Sequence, residues 1–506
     1  MRGVIAAGHP LSAAAGADVL RAGGNAVDAA VAAVLTSFVA ESVLTGPGAG
    51  GFMLVHTPAG ERVLLDFFVA APGAGRVAEP APLLPIDVHF TETITQEFHV
   101  GVSSCGVYGT CAGLAAALDR FGTLPLADLS AGAARLAREG VEIAPLQEYL
   151  LDILSPILSS TPEAADLYEP EGRPLRAGER LFQPELAELV DRLGVEGPDF
   201  LYRGDVARAV AEWVGERGGL LTATDLESYE VIDRIPTEVR YGGRVVLTNP
   251  PPSSGGILIA NSLALLERLS GPIGVEALVE VMARTDAVRN DEFGEGLQKA
   301  GFAEQLLAPG ALDAAAGLVA SRLGSTTHVS VLDEQGGCAS VTCSNGSSSG
   351  VVVPGTGLHL NNMLGEADLN PAGWHSHPAG RRIPSMMAPT IVLRDDRPEA
   401  VLGSAGSNRI RSAILQMVLS VVDLGLGARA AVDRPRVHWE RGAVDAEPGV
   451  DPAALERIEA AGYPVRRWSE RNLFFGGVQA AVRDTADGTL SGAGDPRRGG
   501  AAIVVT

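Results

Sequence analysis

Polar and apolar residues alternate through Thr327-His328-Val329-Ser330-Val331-Leu332 and again through Cys338-Ala339-Ser340-Val341-Thr342-Cys343-Ser344. Turn-forming residues, Asp333-Glu334-Gln335-Gly336-Gly337, separate the two runs. Two period-two runs of β-prone residues around a glycine-bearing loop predict a β-hairpin. With Gly336 supplying a positive φ, pairing is symmetric about Gln335, and Thr326 then lies opposite Ser344. Along the rest of the chain, periodicity predicts helices over 11–21, 26–40, 123–138, 184–192, 205–217 and 411–424. It predicts strands over 245–248, 390–393, 400–403, 478–482 and 501–505. No internal repeat is visible.

The chain has 506 residues, 46% of them hydrophobic and 20% charged, enough to bury a large core and long enough for up to three average domains. A formal net charge of −22 repels phosphate backbones, so neither nucleic acid nor an anionic membrane is expected as a partner. The most apolar helical stretch, 29–40, is far too short to cross a bilayer and runs into Glu41. Residues 1–8 show no charged segment followed by a long apolar run, so a cytoplasmic location is expected, or an exported one if a leader has been removed. Four cysteines make no disulfide framework. Cys338 and Cys343 differ by an odd number of positions, which points them to opposite faces of one strand. His375 and His377, beside Trp374, lack a second ligand cluster and read as loop, so no metal and no cofactor are expected.

The facing hydroxyls of Thr326 and Ser344 raise a chemical question. A free hydroxyl needs a base within hydrogen-bond reach, and no histidine here is placed with a matching acid. Cutting the chain between Ser325 and Thr326 would supply one. The new α-amino group would sit on the same residue as the hydroxyl, with an ordinary pKa of about 7.7 to 8.0, close to ideal for a general base near neutrality. The cut would be self-catalysed: the Thr326 hydroxyl attacks the Ser325 carbonyl, the acyl group shifts from nitrogen to oxygen, and water opens the ester. The local pattern is equally that of an ordinary Ser/Thr-lined hairpin and does not decide between the two.

A longer set of motifs does. Ser325-Thr326-Thr327-His328-Val329-Ser330-Val331-Leu332-Asp333, the Gly350–Gly357 stretch and Leu360-Asn361-Asn362 resemble the junction between the two subunits of γ-glutamyltranspeptidases. So do His9-Pro10, Gly23–Ala30, Gly50-Gly51-Phe52-Met53, Thr248–Gly256 and Gly494–Gly500, in the family's order along nearly the whole chain. The resemblance implies an α+β fold, the four-layer αββα sandwich of N-terminal nucleophile hydrolases, as one catalytic unit cut into 1–325 and 326–506. The two processed segments would stay associated, as a homodimer of heterodimers in one version of that expectation.

The resemblance also assigns residues. Thr326 matches the nucleophile, Ser344 a hydroxyl that bonds it, and Gly406 and Ser407 the oxyanion loop, where relatives often carry two glycines. Asn345 and Glu366 match groups that bind the substrate's α-ammonium, and Ser385 the first of a serine pair that contacts its carboxylate. Departures lie on the carboxylate side: Phe68 stands where the family has an arginine, Met386 replaces the second serine, and Met363 replaces a polar neighbour. A carboxylate buried against Phe68 without a guanidinium costs several kcal/mol, so glutathione is expected to bind poorly unless Arg382 or Arg409 substitutes. The stretch from Glu366 to Arg382 is shorter than in relatives with a long lid, which favours hydrolysis over acyl transfer. The expected activity is cleavage of γ-glutamyl or related small-molecule N-acyl amides. The alternatives are a glutaryl-type acylase, as for cephalosporin-like amides, or an unprocessed, non-catalytic binding relative.

Overall fold

The computed structural model describes residues 1–76, 79–89, 95–269, 271–308 and 326–506. Ser325, the residue before the expected cut, lies outside these. Two antiparallel sheets dominate. The seven-stranded one runs Ala501–Val505, Gly3–Ala7, Thr327–Asp333, Cys338–Ser344, Gly50–His56, Arg62–Phe67 and Ile232–Arg234. The six-stranded one runs Leu490–Ala493, Gly477–Arg483, Arg397–Ala405, Thr390–Arg394, Arg244–Thr248 and Thr237–Tyr241. Each sheet draws strands from both sides of Thr326 in the sequence.

Strand alternation sorts the apolar residues into separate cores. Val4, Phe52, Leu54, Leu64 and Leu332 of the first sheet pack with Leu247, Ile391, Val401 and Ala481 of the second. Their neighbours Ile5, Met53, Val55, Val329 and Val331 point the other way, onto the helices Pro10–Arg21 and Ala26–Ala40. On the second sheet, Val246, Val392, Leu402 and Ala480 face the helices Ser254–Leu266 and Arg409–Val422. Cys338 and Cys343 fall in different cores, as the odd spacing requires, and all four cysteines are buried and free.

Local chemistry fixes the elements that carry the site. Asn25 caps the Ala26–Ala40 helix by accepting from the amides of Val27 and Asp28, and Asp28 returns the bond to the Asn25 amide. The hairpin forms in the expected register, Thr327 opposite Cys343 and Leu332 opposite Cys338, with Gly336 at φ 88° in the turn. The predicted helix over 123–138 is observed as Leu126–Glu139, and that over 411–424 as Arg409–Val422.

Candidate active site

Extending the observed register by one residue places Thr326 across from Ser344, the last residue of its strand. Both side chains are buried and line one small cavity of about 40 Å3. The Ser344 hydroxyl accepts from the Gly346 amide at 2.8 Å, where Gly346 turns the chain at φ 70°. Beneath the pair, between the sheets, lies a neutral polar network. His328 Nδ1 meets the Thr342 hydroxyl at 2.8 Å and Nε2 meets the Ser330 hydroxyl at 2.9 Å. Complete burial pushes His328 down to about 3, so it titrates too low to act as a base at neutral pH.

The loop after Arg397–Ala405 supplies the next wall. Gly406 has φ 119° and Ser407 φ 51°, and the chain enters the Arg409–Val422 helix directly after them. The Ser407 hydroxyl reaches Asp368 Oδ2 at 3.4 Å, and Asn408 Nδ2 donates to the same oxygen at 3.0 Å. A non-glycine residue in the left-handed region is strained by about 1 kcal/mol, and these side-chain bonds hold it there.

Glu366 is buried in the cavity wall. Its Oε1 accepts from the Ser347 amide at 2.9 Å and the Ser347 hydroxyl at 2.6 Å. Burial pushes its carboxyl up to about 7, with Asp368 adding to the rise and the Ser347 bonds opposing it. Ser385 also lines the cavity, its hydroxyl accepting from the Met387 amide at 3.0 Å. Phe68 is there too, stacked on Phe52 with ring centroids 5.2 Å apart.

Asn345 is not brought into this cavity. Asn345 follows the end of the strand, and its Nδ2 donates to the His359 carbonyl at 3.4 Å. Neither proposed arginine lines the cavity either. Arg382 is buried on Asp66, with Nε 3.1 Å from Oδ1, and lies over the Tyr229 ring. Arg409 pairs with Glu440 at 2.9 Å and lies over the Phe474 ring. Sequence reasoning missed five of the lining residues: Gly346, Asp368, Leu369, Met387 and Ile410. Only Asp368 carried a signal, an acid two positions beyond Glu366.

The family model described as Gamma-glutamyltranspeptidase matches residues 12–505. The chain belongs to the γ-glutamyltranspeptidase family. Family membership makes it an enzyme of the amidase type with the N-terminal nucleophile hydrolase fold. Acylase ACY 1 proenzyme of Pseudomonas sp. (strain SE83) is 33% identical, with 100% of this chain and 94% of the relative covered. Glutathione hydrolase proenzyme of Bacillus subtilis (strain 168) is 31% identical, covering 99% and 91%. Among solved structures, cephalosporin acylase from Bacillus halodurans superposes with a TM-score of 0.82 over 99% of this chain and 95% of that one, at 24% identity, a likeness of fold. No helix among the described residues is long and apolar enough to cross a membrane.

Proposed function

We propose that this family member is a self-processing amidase that cuts itself between Ser325 and Thr326 and then works through an acyl-enzyme on Thr326. The carrying observation is that Thr326, Ser344, Ser407 and Glu366 wall a single cavity although they come from four separate stretches of chain. In turnover, the Thr326 hydroxyl adds to the amide carbonyl while the α-amino group takes its proton and passes it to the leaving amine. Backbone N–H groups at Gly406 and Ser407 face the developing oxyanion, and water then hydrolyses the ester. Ser344 holds the nucleophile in place.

The reading treats 1–325 and 326–506 as the two segments of one catalytic domain. The three apolar cores support a four-layer αββα arrangement. The relatives' names as proenzymes support the processing step.

The lining favours acyl groups without a carboxylate next to the reacting chain. Phe68, Met363, Leu369, Met386, Met387 and Ile410 are apolar, Glu366 and Asp368 are the only ionisable side chains among the described lining residues, and no lysine, arginine or histidine joins them. Glu366 suits an ammonium on the acyl donor. A γ-glutamyl amide offers that ammonium but brings a carboxylate with it. An N-acyl amide acylase is the second reading, favoured by Phe68 and by the ACY 1 relative. The short stretch between Glu366 and Arg382 favours hydrolysis over transfer.

A denaturing gel tests the core of this proposal. Active wild-type protein should run as fragments of 325 residues and the remaining 181 of 506, and Thr326→Ala should stay whole and lose turnover. Active material with an intact chain, or a Thr326→Ala variant at full rate, refutes it.

A further inference from the structure

A second cavity, of about 690 Å3, lies beside the catalytic machinery without being part of the acyl site. Its size falls in the range of small-molecule sites. Leu11, Val43, Leu44, Leu146 and Leu150 give it an apolar wall. Two buried polar side chains, Glu41 and Arg498, complete that wall, and each also touches the catalytic apparatus. Glu41 Oε2 accepts from the hydroxyl of Thr327, the residue after the nucleophile, at 2.7 Å. Arg498 threads past two glycines: a Cβ on Gly477 would come within 2.5 Å of Arg498 Cδ, and a Cβ on Gly406 would lie 3.5 Å from Nη2.

Arg498 differs from its neighbour Arg497. Arg497 is neutralised by Glu447 at 2.5 Å and Asp495 at 3.1 Å. Arg498 forms no ion pair among the described residues. Its Nη2 makes one long bond to the Leu473 carbonyl, 3.4 Å, and its Nε is buried with no hydrogen-bond partner. The side chain is 8% exposed, and burial lowers its pKa to about 10, still cationic at neutral pH. Asp495, already paired with Arg436 and Arg497, favours its charge only from beyond ion-pair distance. A buried cation with so incomplete a counterion carries a desolvation cost that a bound anion would offset.

The other polar groups on the wall do not supply that anion. Glu41 has its oxygens on Ser12 and Thr327, and burial raises it to about 7. His9 accepts from the Leu11 amide through Nδ1 and, lowered to about 4, stays neutral. Glu142 is exposed at the rim, and Gln147 is turned to the Ala40 carbonyl.

We propose that this cavity binds a short aliphatic monocarboxylate, its chain against the leucine-rich wall and its carboxylate on Arg498, and that occupancy acts on the oxyanion loop at Gly406. Neutralising a cation held against that loop weakens the potential that favours the oxyanion. Occupancy therefore lowers kcat and leaves KM in place.

Hexanoate titrated calorimetrically into the processed enzyme tests this, with hexylamine as the charge-reversed control. The expected result is saturable one-to-one binding of hexanoate, none of hexylamine, and a lower kcat at saturation with KM unchanged. Arg498→Met should weaken hexanoate by at least about tenfold, or 1.4 kcal/mol. Leu146→Trp, which fills the cavity from a half-buried position, should do the same and decides the matter alone if the arginine variant does not fold. No binding, equal binding of hexylamine, binding untouched by both variants, an unchanged kcat, or simple competition with the amide substrate each overturns the proposal. None of these outcomes depends on where the chain is cut.

Discussion

Phe68 puts an apolar ring, and no charge, in the wall of the cavity around Thr326. An arginine there would bring a cation to a wall that now holds Glu366 and Asp368 and no base. Phe68→Arg should therefore raise kcat/KM for γ-glutamyl anilides, by roughly tenfold or more if the guanidinium reaches the carboxylate. Unchanged kinetics toward γ-glutamyl donors would remove the carboxylate argument and leave the nucleophile untouched.

Glu366 gives a second residue-scale prediction. Burial holds it and Glu41 near 7 against an ordinary value of 4.5. The folded protein therefore keeps protons that the unfolded chain releases between those values. Their stabilising contribution is complete below about 4.5 and is lost as pH rises through 7, on the order of 2–3 kcal/mol each. Chemical denaturation at pH 5 and pH 8 should show this slope flattened in Glu41→Gln and Glu366→Gln. Comparing variant with wild type separates these groups from the half-buried His9 and the buried His328 and His359, lowered to about 4, 3 and 4, which act in the opposite sense. Turnover of amine-bearing donors should instead rise through pH 7, as the Glu366 carboxylate ionises and the Thr326 amine loses its proton.

At the scale of elements, the hairpin was legible because alternation, turn chemistry and register all agreed. That agreement placed Thr326, Ser344 and, by parity, the faces of Cys338 and Cys343. The Ser254–Leu266 helix was not legible: nearly all its residues are buried, so no polar stripe betrays its period. The Gly3–Ala7 strand was missed for a related reason, being short and flanked in the sheet on both sides by partners from the far half of the sequence. Asn345 lies just past the strand's end and does not line the cavity, and Met387 and Ile410 reach the cavity through tertiary packing that no local pattern encodes.

Sheet packing also yields a prediction at this scale. Gly403 faces His328, and a Cβ there would stand 2.2 Å from the imidazole Cε1. That ring is pinned by Thr342 and Ser330. Gly403→Ala should cost about 1–3 kcal/mol through overpacking and slow processing, read as a lower denaturation midpoint and a persistent full-length band.

For the whole molecule, the decisive feature is how the two halves interleave. Thr327–Asp333 pairs on one side with Gly3–Ala7, and Ala501–Val505 pairs with the other edge of Gly3–Ala7. Cys338–Ser344 pairs with Gly50–His56, and in the second sheet Arg244–Thr248 pairs with Thr390–Arg394. After processing, the fragments should co-elute as one species in native size exclusion and separate only in denaturant, through a single transition. Fragments that part under native conditions would contradict this arrangement.

The interleaving has a consequence for how such a molecule is made. With the chain cut before Thr326 as proposed, the new terminus would arise on an interior strand, hemmed in on both sides, where no separately synthesised polypeptide could be threaded once its partner had closed. On that proposal, continuity across residue 326 serves birth rather than working life: it keeps the two portions at high mutual concentration while the sheets assemble, and would be dispensable afterwards. Supplying the portions from two messages should give insoluble material unless both are present while each is still unfolded.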